Sequence, residues 1–203
     1  PLQMLNDYLK ILGKRFGGKI THFQFRDKSC DKNYCARFSV ARKEKKHDII
    51  LRSHYLSFYK LFLEGSTQRE NCYSCPYASL QRVADITVGD YWGVEQFHSE
   101  DIHTGKMPDR KDWSCVLVNT EKGRRFLEAH QEQLLLWPTQ VAWVAENNRQ
   151  LNAPSSKSAK REEILRHYES GGYWAVEAAF IRKCGGKLRY YWRMLKNLHS
   201  NTK

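Results

Sequence analysis

The densest chemistry in the chain lies in residues 71–93, NCYSCPYASLQRVADITVGDYWG. Cys72 and Cys75 are spaced C-x-x-C ahead of Pro76, which sets two thiols on one rigid turn. Such a pair can hold a soft metal or an iron–sulfur cluster, or exchange as a dithiol. A strand-like run, residues 84–88, then ends in Gly89-Asp90-Tyr91-Trp92-Gly93. Glycine there lets backbone and carboxylate come close to a planar ligand. Trp92 either stacks on such a ring or belongs to the core, and its spacing fits both.

Counting ligands sharpens the first motif. Structural zinc and cluster sites usually take four donors, so Cys72 and Cys75 make half a site. Cys30 and Cys35, spaced C-x4-C, and the more distant Cys115 and Cys184 are the other thiols. Their plainer reading is as small buried hydrophobes. Asp85 and Asp90 are an odd number of residues apart, so a regular strand points them to opposite faces, a poor geometry for an acid–base pair. Asp90 is the better ligand-binding candidate, and Asp85 is expected to pair with Arg82 or cap a turn. His98 and His103 share a polar stretch with Glu100 and Asp101, which reads as a solvated loop before it reads as a metal site. No Gly-x-Ser-x-Gly, Walker-type or Gly-x-Gly-x-x-Gly pattern occurs, which leaves hydrolase, nucleotide-triphosphatase and Rossmann readings without support.

The elements that must position these residues are legible from periodicity. Leu5, Tyr8, Leu9, Leu12 and Phe16 predict an amphipathic helix stopped by Gly17-Gly18. Ile20, Phe23 and Phe25 predict a strand. Tyr34, Ala36, Phe38 and Val40 alternate with Cys35, Arg37 and Ser39 as in a half-buried strand, and residues 43–46 turn it into a partner over 47–52. Residues 55–63 predict a short helix ended by Gly65. Residues 96–111 read as a long functional loop, residues 114–118 as a strand, and Thr120 as the start of a helix carrying Phe126, Leu127, His130 and Leu134 on one face. Residues 135–145 read as an edge strand bent at Pro138. Three helical patterns follow, the first two ended by Gly171-Gly172 and Gly185-Gly186.

These patterns predict an α+β fold: a mixed sheet with flanking helices and a C-terminal helical extension. The expected division is a domain over residues 1–146, a linker over 147–158 and a basic extension over 159–203. The 203 residues are 41% hydrophobic and 13% aromatic, enough for a sizeable core. No apolar run approaches the ~20 residues of a membrane span. Lys and Arg outnumber Asp and Glu by 34 to 22, a formal charge of +12. From Arg182 onward there is no Asp or Glu, so the last helix, with Arg189, Arg193 and Lys196, either lies on an anionic membrane or acidic partner or packs back with its charge in water. Cysteine usage without a signal peptide suits a reducing cytoplasm. A first residue other than Met reads as a fragment or processed product.

Several of these segments, in order, resemble the C-terminal domain of the coenzyme F-420 hydrogenase/dehydrogenase beta-subunit family. They are Phe25-Arg26-Asp27-Lys28, residues 55–63, Cys72-Tyr73-Ser74-Cys75-Pro76, residues 84–93, and Val116 through Gly123. The resemblance spans most of the chain up to the linker and does not extend to the helices beyond about Gly172. It implies an iron–sulfur flavoprotein that passes electrons between a [4Fe-4S] cluster, FAD and a hydride carrier or protein partner. Carried over by position, Cys72 and Cys75 are cluster ligands, and Gly89, Asp90, Tyr91 and Trp92 lie near the cofactors. The remaining ligands would come from an upstream region of the same polypeptide or from a redox partner, so the chain alone is expected to be inactive.

The rival reading is a non-catalytic module in which Cys30, Cys35, Cys72 and Cys75 hold zinc and the basic surface grips a polyanion or an acidic protein. A family member that kept the fold for partner binding alone is a third. Nucleic acid is not the expected partner.

Overall fold

A computed structural model describes residues 1–27, 34–43, 45–109 and 113–200. Lys28 and Cys30, named above, and parts of the spans 43–46 and 96–111 lie outside them. The class is α+β with C-terminal helices, as expected. Among the described residues the strands form two small antiparallel sheets in place of one mixed sheet. The chain divides into two compact units, one of residues 1–69 with 156–203 and one of residues 70–155.

In the first unit, helix α1 (Leu2–Arg15) ends where Gly17 takes φ +69°, and strand β1 (Lys19–Phe25) follows. β2 (Cys35–Arg42) pairs antiparallel with β1 on one side and β3 (Lys45–Arg52) on the other. The period-two pattern explains half of β2: Ala36, Phe38 and Val40 are fully buried. Cys35 and Ser39 on the alternate face are buried as well, because β2 is the central strand. Ser39 is satisfied by donating to Asp48 at 2.6 Å. Cys35 is disulfide-bonded.

A 3-10 turn leads into α2 (Ser57–Leu63). The chain returns to this unit as α8 (Arg161–Lys183) and α9 (Lys187–Ser200). α8 is two helices in effect, interrupted by non-helical backbone at Gly171 and Gly172 as the sequence indicated. One apolar cluster joins Tyr8 and Leu12 of α1, Phe38 of β2, Phe58 of α2, Val176 of α8 and Tyr190 of α9. The last helix therefore packs back into this core, against β3 and α8, with Arg15 at the end of α1 reaching its Tyr190. Inside this cluster Arg15 and Glu177 form a buried ion pair, Ser57 Oγ donates to Glu177, and Arg15 Nη1 donates to Tyr190 OH at 3.2 Å. A buried ion pair is costly unless its remaining hydrogen-bonding capacity is met. Ser57 and Tyr190 meet part of it here, and Arg15 Nε is left buried without a hydrogen-bond partner among the described residues.

The second unit carries helix α3 (Glu70–Tyr73), strand β4 (Ile86–Asp90), short helices α4 (Val94–Phe97) and α5 (Ser99–His103), strand β5 (Ser114–Val118), helix α6 (Glu121–Ala129) and helix α7 (Val141–Asn147). Two sequence expectations change. Residues 96–111 contain short helices, which are too brief to show a period. Residues 135–145 form no strand: the chain runs unpaired through Pro138 and then coils into α7, burying Val144 and Ala145. Pro138 cannot donate to a ladder, and the apolar residues after it fall at helical spacing. Tyr91, Val94, Met107, Leu117, Val144 and Leu151 make this unit's own core.

Candidate functional site

Cys72 sits on the single turn of α3 and Cys75 just beyond it. The turn is held at both ends: Ser155 N–H donates to the Cys72 carbonyl at 3.0 Å, and Ala78 N–H to the Cys75 carbonyl at 3.2 Å. Both thiols are free and half-buried, reachable from solvent without being loose on it. Among the described residues, no group of three or more His, Cys, Asp or Glu side chains is placed to hold a metal ion. Two thiolates on one turn match part of the donor set of a four-iron cluster and leave the rest of it unsupplied.

The zinc alternative fares worse. Cys35 is fully buried and disulfide-bonded, so it offers no thiolate. Cys30 lies outside the described residues. Cys115 and Cys184 follow the plainer reading: burial pushes both thiols up, which keeps them protonated. Cys115 donates weakly to the Asp90 carbonyl at 3.6 Å.

The Gly89–Gly93 segment is the end of β4 and the turn after it. Antiparallel pairing sets Gly89 opposite Cys115 and Asp90 opposite Ser114. A Cβ at Gly89 would meet only the Cys115 sulfur, at an ordinary 3.6 Å, so the protein's own packing does not demand glycine there. Gly93 is different: φ is +85°, and a Cβ would lie 2.3 Å from Asn147 Nδ2. That left-handed residue lets the strand turn at once into α4.

Tyr91 turns its ring into the core. Its hydroxyl lies 2.7 Å from Thr139 Oγ1 and 3.3 Å from His98 Nε2, and His98 Nε2 is 3.1 Å from Thr139 Oγ1. Burial raises the Tyr91 pKa, so it stays a neutral phenol. Tyr91 thus anchors the segment from beneath, while Trp92 next to it is 42% exposed. His98 is buried, edge-on to Tyr91 and Trp143, and not part of a solvated loop. Thr139 is the residue that sequence reasoning missed; only its position one residue past Pro138 marked it, and no period does.

Asp85 serves a neighbouring junction and does not pair with Arg82, which donates to the Tyr77 carbonyl. It accepts from Thr120 Oγ1 at 2.6 Å and Lys122 Nζ at 3.2 Å, and these contacts hold its carboxyl below the usual range. Thr120 in turn caps α6 by accepting from Gly123 N–H at 3.1 Å.

The two faces of the β4–β5 ladder are unequal. Cys115 and Leu117 are buried on one. On the other, Ile86 opposes Val118 and Val88 opposes Val116, with Val88 65% and Val118 41% exposed. α6 is similarly bare: Phe126, expected to share one helix face with Leu127, is 59% exposed, and Leu134, Leu135 and Leu136 after it are exposed too. Isolated exposed apolar residues are ordinary; a paired strip of β-branched residues on a two-stranded sheet is a surface that normally meets something.

The fold and this site together define an α+β chain whose second unit carries both an accessible paired-thiol turn and a sheet face exposed at Val88 and Val118. The chain belongs to the family described as the C terminus of the coenzyme F420 hydrogenase/dehydrogenase beta subunit, whose model matches residues 1–141. That family places it among oxidoreductase subunits. No curated protein and no solved structure matches the chain. Among the described residues, no helix is long and apolar enough to cross a membrane.

Proposed function

We propose that this chain is the part of a cytoplasmic iron–sulfur flavoprotein oxidoreductase that supplies two thiolates of a [4Fe-4S] cluster and one wall of a flavin site. The observation that carries the reading is the pair of free, half-buried thiols on one tethered turn with no third ligand beside them among the described residues. A self-sufficient zinc site would show its other donors, and an inert pair of core cysteines would be buried.

In this reading Cys72 and Cys75 bind as thiolates, and the Ser155 and Ala78 amides hold their turn in shape before a ligand binds. Gly89 leaves room for close approach of a planar group, Asp90 offers a carboxylate at the strand end, and Trp92 offers a ring face. Tyr91, His98 and Thr139 hold that segment in place without touching the ligand. When bound, a cluster carries single electrons and a flavin converts between these and a hydride, which joins a one-electron partner to a hydride carrier. The remaining cluster ligands come from another segment or a redox partner, and the Ile86, Val88, Val116, Val118 strip supports a surface for that contact.

Anaerobic reconstitution of the purified chain with ferrous iron and sulfide, followed by desalting, tests this. The expected product is nearly colourless, with little bound iron and no flavin retained. A stable four-iron cluster on this chain alone would overturn the half-site.

A further inference from the structure

The first unit holds a cavity of about 490 Å³, formed wholly within it by α2, α8 and α9 and the turn before α2. It does not involve the cysteine turn or the β4–β5 ladder, so it stands apart from the redox reading. Leu61, Ile164, Ala179, Phe180 and Tyr190 give it an apolar floor. Tyr190 contributes only its ring, because its hydroxyl is already engaged, donating to the Tyr55 carbonyl at 2.6 Å and accepting from Arg15. Phe180 packs edge-on against that ring at 6.1 Å. The volume is that of a site for a small organic molecule.

The rim has the opposite character. Lys60, Lys160, Lys183 and Arg193 border the cavity, and Glu64 is the one carboxylate among the lining residues. Glu64 is shared between Lys60 at 3.3 Å and Lys160 at 3.7 Å, and Lys183 is taken by Glu163 at 2.9 Å. Four cations thus meet two carboxylates around one opening, and Arg193 makes no ion pair with a described carboxylate. His54, also on the rim, is held neutral by burial and by the charges of Arg52 and Lys60, so it can donate a hydrogen bond without adding charge.

We infer that this cavity binds a small amphipathic anion: an aromatic or short acyl body seated on the Phe180–Tyr190 floor, with a carboxylate, phosphate or sulfonate head at the Lys160–Arg193 rim. An apolar pocket with a few convergent polar groups favours a ligand that is itself divided in this way. The excess of rim cations selects the sign of the head, since an uncharged ligand leaves that charge uncompensated and a cation is repelled.

Cys184 lines the same cavity, which gives a local readout that surface adsorption elsewhere does not move. The probe is 8-anilinonaphthalene-1-sulfonate, and the measurement is the rate of N-ethylmaleimide alkylation at each cysteine, read by peptide mass spectrometry on the whole chain. Saturating probe is expected to slow Cys184 labelling about fivefold or more, with Cys72 and Cys75 unchanged. The double variant Lys160→Gln, Arg193→Gln should raise the protecting concentration about tenfold, as high salt should in the parent chain. Lys46→Gln, the same change on the exposed β3 strand, should not. N-phenyl-1-naphthylamine, which has the same rings without the sulfonate, should protect only weakly. An unchanged Cys184 rate at saturating probe would overturn the site. Equal protection by the uncharged amine, or protection indifferent to both salt and the double variant, would overturn the anionic ligand.

Discussion

Glu177 is a buried carboxylate on whose charge the first unit's interior depends. It lies beneath Ser57 and Arg15 in the interior of the first unit, and burial there pushes the neighbouring Tyr8 and Tyr173 phenols well up. Removing its charge strands the Arg15 guanidinium. Glu177→Gln should therefore cost about 3–5 kcal/mol, read by urea denaturation, whereas a surface carboxylate such as Glu128 should cost a few tenths. A Glu177→Gln midpoint equal to the parent's would show that the pair contributes little. Asp7 gives the pH dependence at the same scale. Hydrogen bonds from Tyr168, Lys10 and Gln3 lower its pKa from 3.8 to about 2. A depressed carboxylate stabilises the fold above its unfolded pKa and loses that contribution as pH falls through the folded one. Stability should thus decline between pH 3.8 and about 2, and Asp7→Asn should flatten that part of the profile. An unaltered acid limb in the variant would reassign the loss to other carboxylates.

At the scale of elements, Thr120 joins two structures by capping α6 and donating to Asp85. Thr120→Ala should destabilise the second unit by about 1–2 kcal/mol, measured by hydrogen exchange across α6 and β4. Protection unchanged in both elements would contradict this. Much of the element order was legible: β5 occupies the residues expected, the β2–β3 hairpin forms, and the paired glycines divide the C-terminal helices. What was not legible has physical causes. α4 and α5 are four and five residues long, shorter than the window in which a 3.6-residue period shows. The run after Pro138 has the composition of a strand and the spacing of a helix, and tertiary burial of Val144 decided it. At the site, the C-x-x-C pair and the Gly-Asp-Tyr-Trp-Gly segment were visible by residue type. The Tyr91–His98–Thr139 contact was not, since it joins residues 41 and 48 apart.

For the whole molecule, the compact units cut across chain order. Residues 156–203 complete the core begun by residues 1–69, contributing Ile164, Tyr173, Val176, Phe180, Tyr190 and Met194. Deleting them should abolish the cooperative melt of the first unit in circular dichroism; a retained transition there would show that the N-terminal segment folds alone. The second unit is complete in its core and incomplete on its surface, with the Val88 and Val118 strip and the Phe126 region open. In the proposed function, this open strip is the surface on which the rest of the cluster site would be supplied. Iron and acid-labile sulfide, assayed in the anaerobically purified native assembly with and without the Cys72→Ser, Cys75→Ser double change, test the shared site most directly. The assembly should carry both, and the double variant should lose its cluster while the chain stays folded and associated; full iron and sulfide content in that variant would contradict the assignment.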